Sequence, residues 1–137
     1  MTKTEKKYFI FTNLFISIIG IVYFVYKYFM ALETEYGVRP HQSTSFWLHF
    51  HIVTVPLVIL GVGYLLPIHI LPKLAKEKSP RKVSGIFLIS TFIIMVISGY
   101  LLQMGFSSEF NNTTGWVHSI ISGVWISILL WHIRLRL

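Results

Sequence analysis

The sequence predicts an all-α integral membrane protein, a four-helix bundle that forms a single transmembrane domain over residues 1–137. Three observations predict this fold: a shortage of charge, four long apolar blocks, and basic residues confined to alternate connecting segments. Of the 137 residues 54% are hydrophobic and 12% are charged, whereas soluble domains carry about 25% charged residues. This composition argues against a soluble enzyme and favours a protein embedded in a lipid bilayer.

The apolar blocks predict spanning helices at about 8–30, 45–71, 83–104 and 116–133. The first block is too long for a signal-peptide core and is followed by no small-residue cleavage site, so we expect a retained helix. Pro56 and Pro67 lie inside the second block and predict a kink there, since neighbouring helices can satisfy the carbonyls that proline leaves free. Polar loops are expected at 31–44 and 105–115, and a short basic loop at 72–82.

The basic residues predict the orientation of the chain. Ten of the 12 Lys and Arg residues lie in the N-terminal segment, the 72–82 loop and the C-terminal segment with Arg134 and Arg136. Four spans place these segments on one side, and the positive-inside rule puts both termini in the cytoplasm. A one-sided charge of +7 points to orientation and anionic lipid before nucleic acid. Together with high Lys and Ile usage, it favours the inner (plasma) membrane of a prokaryote.

Histidines are the informative residues of the sequence. Polar, titratable groups inside spans are costly and are functional by default; five of the six histidines fall in the second and fourth blocks, and four of these five share a helix face in pairs. His118 and His132 are 14 residues apart, which is about 40° in azimuth and about 21 Å along a helix. His51 and His69 are 18 apart, five turns of 3.6 residues, and share a face. His49 falls on the opposite side and, like His41, is read as an interfacial polar residue.

Topology pairs these histidines across the second and fourth helices, which run parallel. His51 and His118 are expected near the outer surface, and His69 and His132 near the inner one. Two facing imidazoles at each of two levels suit two haems in a helix bundle, and the absence of cysteine excludes iron–sulfur clusters and covalently attached haem. The separation of about 27 Å on the second helix exceeds the 21 Å on the fourth, so tilt or kinking has to absorb the difference.

Smaller residues supply further candidates for the same site. Gly61, Gly99 and Gly123 lie at depths where a flat macrocycle needs close backbone approach, although small residues also serve ordinary helix packing. Trp47, Trp116 and Trp131 are expected at the membrane interfaces. Hydroxyls able to orient a ligand imidazole are those of Thr54, Ser98, Ser119 and Ser122.

The segment from Gly115 to His132, with His118, Gly123 and His132, resembles the last core helix of membrane b-type cytochromes. That superfamily includes the cytochrome b subunits of hydrogenases and formate dehydrogenases. Ser98-Gly99 is similar to a Ser/Thr-Gly element of its small di-haem members, and His51, Pro56, Gly61 and His69 also match those members. The resemblance covers residues 41–133. It implies two noncovalent haem b groups; the quinone-site signature of larger members is not visible.

The expected function is therefore transmembrane electron transfer by two bis-histidine haems, performed by a redox protein or a subunit of a redox complex rather than a stand-alone enzyme. A quinol or a redox protein would be the partner at one face, and the basic loop at 73–82 is expected to fix topology. Two alternatives remain: a transporter whose histidines relay protons, and an anchor subunit with one haem or none. Proton relays in membranes usually include a carboxylate, and the four predicted spans contain none.

Overall fold

The computed structural model describes residues 2–79 and 81–134, so Arg136, which the charge argument used, lies outside the described residues. In chain order the elements are α1 (Lys3–Phe29), β1 (Leu32–Thr34), β2 (Gly37–Arg39), α2 (Ser43–Leu65), a π-helical turn (Leu66–Ile70), α3 (Leu71–Ala75), α4 (Lys82–Gln103) and α5 (Ser108–Arg134). With α2, the π turn and α3 taken as one stretch, four helices are long and apolar enough to cross a membrane. Within the described residues, the prediction of four helices of membrane-spanning length is confirmed, and their insertion in a membrane stays a prediction.

The chain divides into two compact units, an N-terminal unit that ends at His69 and a C-terminal unit that begins at Ile70. Each contains a helix pair: α1 with α2 in the first, and α4 with α5 in the second. Both pairs are antiparallel. In the N-terminal unit, Gly20 contacts His51 near one end, whereas Glu5 bonds Tyr64 near the other.

Hydrogen bonds stabilise the start of α1 and join it to α2 in the N-terminal unit. Thr2 and Glu5 form a reciprocal capping box, and the Glu5 carboxylate also accepts a hydrogen bond from the Tyr64 hydroxyl at 3.1 Å. Gly61 packs on α1, since a Cβ there would lie 3.5 Å from the Phe9 ring. In this structure Gly61 serves close helix packing, one of the two roles that the sequence left open.

The connecting segments are more ordered than the sequence predicted. The 31–44 segment contains a short antiparallel hairpin of β1 and β2, whose turn includes Gly37 at a φ of 105°. The loop predicted at 105–115 is wrong from Ser108 onward, where α5 begins. The Ser107 hydroxyl and carbonyl accept the backbone N–H groups of Phe110 and Asn111, which otherwise lack partners in a first helical turn.

The two prolines of the second span have different effects. Helix α2 continues through Pro56, whereas the π-helical turn begins next to Pro67 and contains His69. Pro67 has no N–H to donate and its ring crowds the carbonyl four residues back, which is that of Gly63; the Leu66 N–H bonds this carbonyl instead. The helix then runs through Pro72 to Ala75, so the predicted loop at 72–82 is shorter than expected.

Candidate functional site

His118 of α5 lies against a serine and a glycine of α4. Its Nδ1 atom is 2.9 Å from the Ser98 hydroxyl oxygen, and a Cβ on Gly99 would lie 3.4 Å from its Cε1 atom. Ser98 is buried and the imidazole is partly buried. Gly99 thus makes room for the imidazole, and the adjacent Ser98 forms a hydrogen bond with its Nδ1 atom.

His132 has a corresponding partner at the other end of the same helix pair. Its Nδ1 atom is 2.7 Å from the hydroxyl oxygen of buried Ser84. Its carbonyl accepts a hydrogen bond of 2.7 Å from Arg81 Nη1, which places a cation at the negative C-terminal end of α5. Ser84 and Arg81, at the start of α4, therefore bind the side chain and the backbone of His132, respectively.

The two serine–histidine pairs share one helix register. Ser84 and Ser98 are 14 residues apart, as are His118 and His132, and α4 and α5 are antiparallel, so one pairing repeats about four turns along. The two contacts are thus products of a single packing arrangement.

Both serine hydroxyls also contact backbone carbonyls of their own segment. The Ser98 hydroxyl donates to the Ile94 carbonyl at 2.7 Å, and the Ser84 hydroxyl donates to the Arg81 carbonyl at 3.1 Å. A serine oxygen whose proton is on a carbonyl can accept a hydrogen bond, so both contacts are compatible with imidazoles that are protonated at Nδ1. A neutral imidazole protonated at Nδ1 carries its lone pair on Nε2, which is the nitrogen that would bind a metal.

His51 of the N-terminal unit lies against a glycine of α1. A Cβ on Gly20 would lie 3.1 Å from the His51 Cε1 atom and 3.4 Å from Nδ1, so a side chain at position 20 would displace the ring. The same arrangement therefore occurs once in each unit: an imidazole on the second helix packs on a glycine of the first, as Gly20–His51 and as Gly99–His118.

His69 lies in a π-helical turn, which the sequence did not predict. The shared face of His51 and His69 was derived for 3.6 residues per turn throughout, but His69 lies within the π turn. A π turn closes each hydrogen bond over one more residue, so it changes the azimuth of His69 and shortens its axial distance from His51. The pairings His51–His118 and His69–His132 each join residues of different units and stay predictions.

The two remaining histidines have local partners near the start of α2. His49 is exposed, and its Nδ1 donates to the Ser45 carbonyl at 2.7 Å. His41 accepts the Ser43 N–H at Nδ1 and packs on Tyr26, with ring centroids 5.0 Å apart.

Of the four hydroxyls proposed to orient an imidazole, Ser98 does so. Those of Thr54, Ser119 and Ser122 donate to carbonyls of their own helices. Gly123 is exposed, with open space where a Cβ would lie, which leaves room for a flat group but identifies none.

Sequence reasoning missed Gly20, Arg81 and Ser84. The spacing of Ser84 and Ser98, equal to that of His118 and His132, was a usable signal for the last of these.

Substituting Ser98 with alanine is expected to destabilise the cofactor-free protein by about 1 kcal/mol more than substituting Ser122, because it removes the hydrogen bond between α4 and the His118 ring. Ser122 is the matched control, since its hydroxyl donates to the His118 carbonyl within α5. Unfolding curves in detergent would measure both free energies. Equal losses for S98A and S122A would show that the contact with the ring contributes nothing.

Comparison of the chain with protein-family models, with curated protein sequences and with solved structures finds no match. Its function has to be inferred from the chemistry of the side chains that each unit brings together.

Proposed function

We propose that this chain is a small di-haem b-type cytochrome of a prokaryotic inner membrane, which carries electrons from one membrane face to the other. His51 and His118 would ligate the iron near the outer face, and His69 and His132 the iron near the inner face. The observation that carries the proposal is the pair of imidazoles on α5, four turns apart, each bonded at Nδ1 by a buried serine of α4.

The chemistry of the donor set fits haem b. Haem iron in membrane bundles is bound by neutral imidazole nitrogen, and the serine oxygens favour the Nε2 lone pair on His118 and His132. A hydrogen bond from the second ring nitrogen is the usual way in which proteins orient a ligand imidazole and raise its basicity. Gly20 and Gly99 make room for the rings of His51 and His118, which pack directly on them.

When bound, haem b would supply one-electron redox chemistry at its iron. The chain itself would position and tune that chemistry. Two imidazoles would be available to hold each iron, a ligand set that would favour electron transfer over reaction with oxygen. The serine oxygens keep Nδ1–H oriented, and the helix register sets the two levels about 21 Å apart along α5, enough to cover most of the hydrocarbon core.

The remaining parts of the proposal concern partners and orientation. A quinol or a redox protein would exchange electrons with the chain at one membrane face. The basic segments would face the cytoplasm, with both termini, as the positive-inside rule predicts. The four membrane-length helices support a multi-pass protein.

The direct test is an absorption spectrum of the purified protein with haem quantified per chain. We expect a sharp α-band in the reduced form at the position of b-type cytochromes, and about two haems per chain. Expression has to include full cofactor supply, so that a colourless product is meaningful. A colourless protein would contradict the proposal and favour the proton-relay or anchor alternatives.

A further inference from the structure

One heptad beyond the contact between His51 and Gly20, toward the β hairpin, the helix pair of the N-terminal unit carries a cation and a buried hydroxyl. On α1, Lys27 follows Gly20 by seven residues, and on α2, Thr44 precedes His51 by seven. Seven residues are close to two full turns, so each pair shares a helix face. Because α1 and α2 are antiparallel, the register that sets Gly20 against His51 continues into the next layer. That layer contains Lys27 and Thr44 and lies about 10 Å further along the helix pair.

The contacts of Tyr26 show independently that the last turns of α1 lie beside the start of α2. The centroid of its ring is 5.0 Å from that of His41 and 6.4 Å from that of Trp47. Lys27 and Thr44 therefore belong to neighbouring segments of one unit.

Lys27 is the one charged residue in the apolar block at 8–30. Its Nζ atom lies 5.0 Å from the centroid of the Tyr28 ring and 5.8 Å from that of Tyr23, which belongs to the preceding turn. The side chain thus extends toward the layer of His51, whereas a lysine that reached for the nearer polar surface would extend past the end of α1. A cation inside a span is costly and indicates a function. An ammonium has three N–H donors, so the ring contacts leave it able to bind an anion.

Thr44 supplies a second polar group to this layer. Its Oγ1 atom is buried and has no hydrogen-bond partner among the residues that the structure describes, which is a costly state for a polar group. Thr44 lies in the first turn of α2, which begins at Ser43, and the helix dipole favours negative charge there. A cation and a hydroxyl without a partner, on two different helices, are the groups that a buried carboxylate requires.

We infer that Lys27 and Thr44 bind a carboxylate, namely a propionate of the haem that His51 would hold. This inference rests on the proposed function. The two propionates are the charged groups of an otherwise apolar macrocycle, and a carboxylate between helices has to be paired and hydrogen-bonded. Lys27 would neutralise the propionate, and Thr44 would donate a hydrogen bond to it. The phosphate of a lipid headgroup offers similar chemistry, so the test has to separate the two sources.

Titration of the cofactor-free protein with haem in detergent would measure this contribution. His132→Ala is the parent for the test, because it should leave only the haem at the level of His51. We expect Lys27→Gln to bind haem about tenfold more weakly than the parent, at the lower end of what a hydrogen bond to a charged group contributes, and Thr44→Val about fivefold more weakly. Haem dimethyl ester has no charged propionate, so Lys27→Gln should cost little affinity for the ester.

Lys7→Gln is the matched control, because Lys7 is an exposed cation near the other end of α1. Circular dichroism would verify the helices of each variant, and Thr44→Val decides the matter if Lys27→Gln does not fold. An unchanged haem affinity in the folded variants, equal losses with haem and its ester, or an equal loss in Lys7→Gln would overturn the assignment.

Two further outcomes separate this inference from its neighbours. An unchanged haem affinity, together with a loss of bound phosphatidylglycerol in native mass spectra of Lys27→Gln, would assign the layer to a lipid headgroup. A parent protein that binds neither haem nor its ester would contradict the proposed function itself, and the propionate site with it.

Discussion

Alanine substitution of His118 or His132 is expected to remove one haem from the protein and to spare the other. The two imidazoles lie about four turns apart on α5, and each has its own serine on α4, so the loss of one leaves the second level intact. Haem per chain, measured by the pyridine haemochrome method on purified protein, should fall from about two to about one in each variant.

The matched control for these two variants is His49→Ala. His49 is exposed and bonded to the Ser45 carbonyl of its own helix, so its removal should leave the haem content unchanged. Circular dichroism would verify that each variant keeps its helices. Unchanged haem content in both H118A and H132A would defeat the assignment of ligands on α5.

Leucine at position 20 is expected to remove the haem bound by His51. A Cβ there would already lie 3.1 Å from the His51 Cε1 atom, and the branched leucine side chain would occupy the space of the ring. The haem at the other level should remain, so haem content should again fall to about one per chain. The effect should require position 20, because that glycine is in contact with the imidazole.

Gly63→Leu provides the control for this substitution. Gly63 is also a helical glycine of the N-terminal unit, but a Cβ there would meet nothing within 4 Å. We expect G63L to keep both haems. If G20L keeps both as well, the glycine is a helix-packing residue and His51 is not held in a restricted ligand position.

Hydropathy and charge predicted the helical class and the four membrane-length helices, because the length and polarity of a spanning segment are properties of the segment itself. The same local reasoning identified Ser98 as a partner for an imidazole. It misplaced the start of α5, because the cap supplied by Ser107 extends a helix into residues that read as a polar loop.

Contacts between helices were less accessible from the sequence. Gly20–His51 and Ser84–His132 depend on the register of one helix against another, and the period of a single helix does not contain that register. The azimuth of His69 is not accessible from the sequence for a different reason: the proline-associated π turn breaks the constant 3.6-residue period on which the extrapolation from His51 relied.

The most direct test of the central claim, that imidazoles of the two units bind iron in pairs, is electron paramagnetic resonance of the oxidised purified protein with iron quantified per chain. The account predicts low-spin ferric signals of bis-imidazole haem amounting to about two irons per chain, with one signal lost in H118A and a different one in H132A. A protein without haem iron, or one whose iron is high-spin and so lacks a second strong axial ligand, would contradict it.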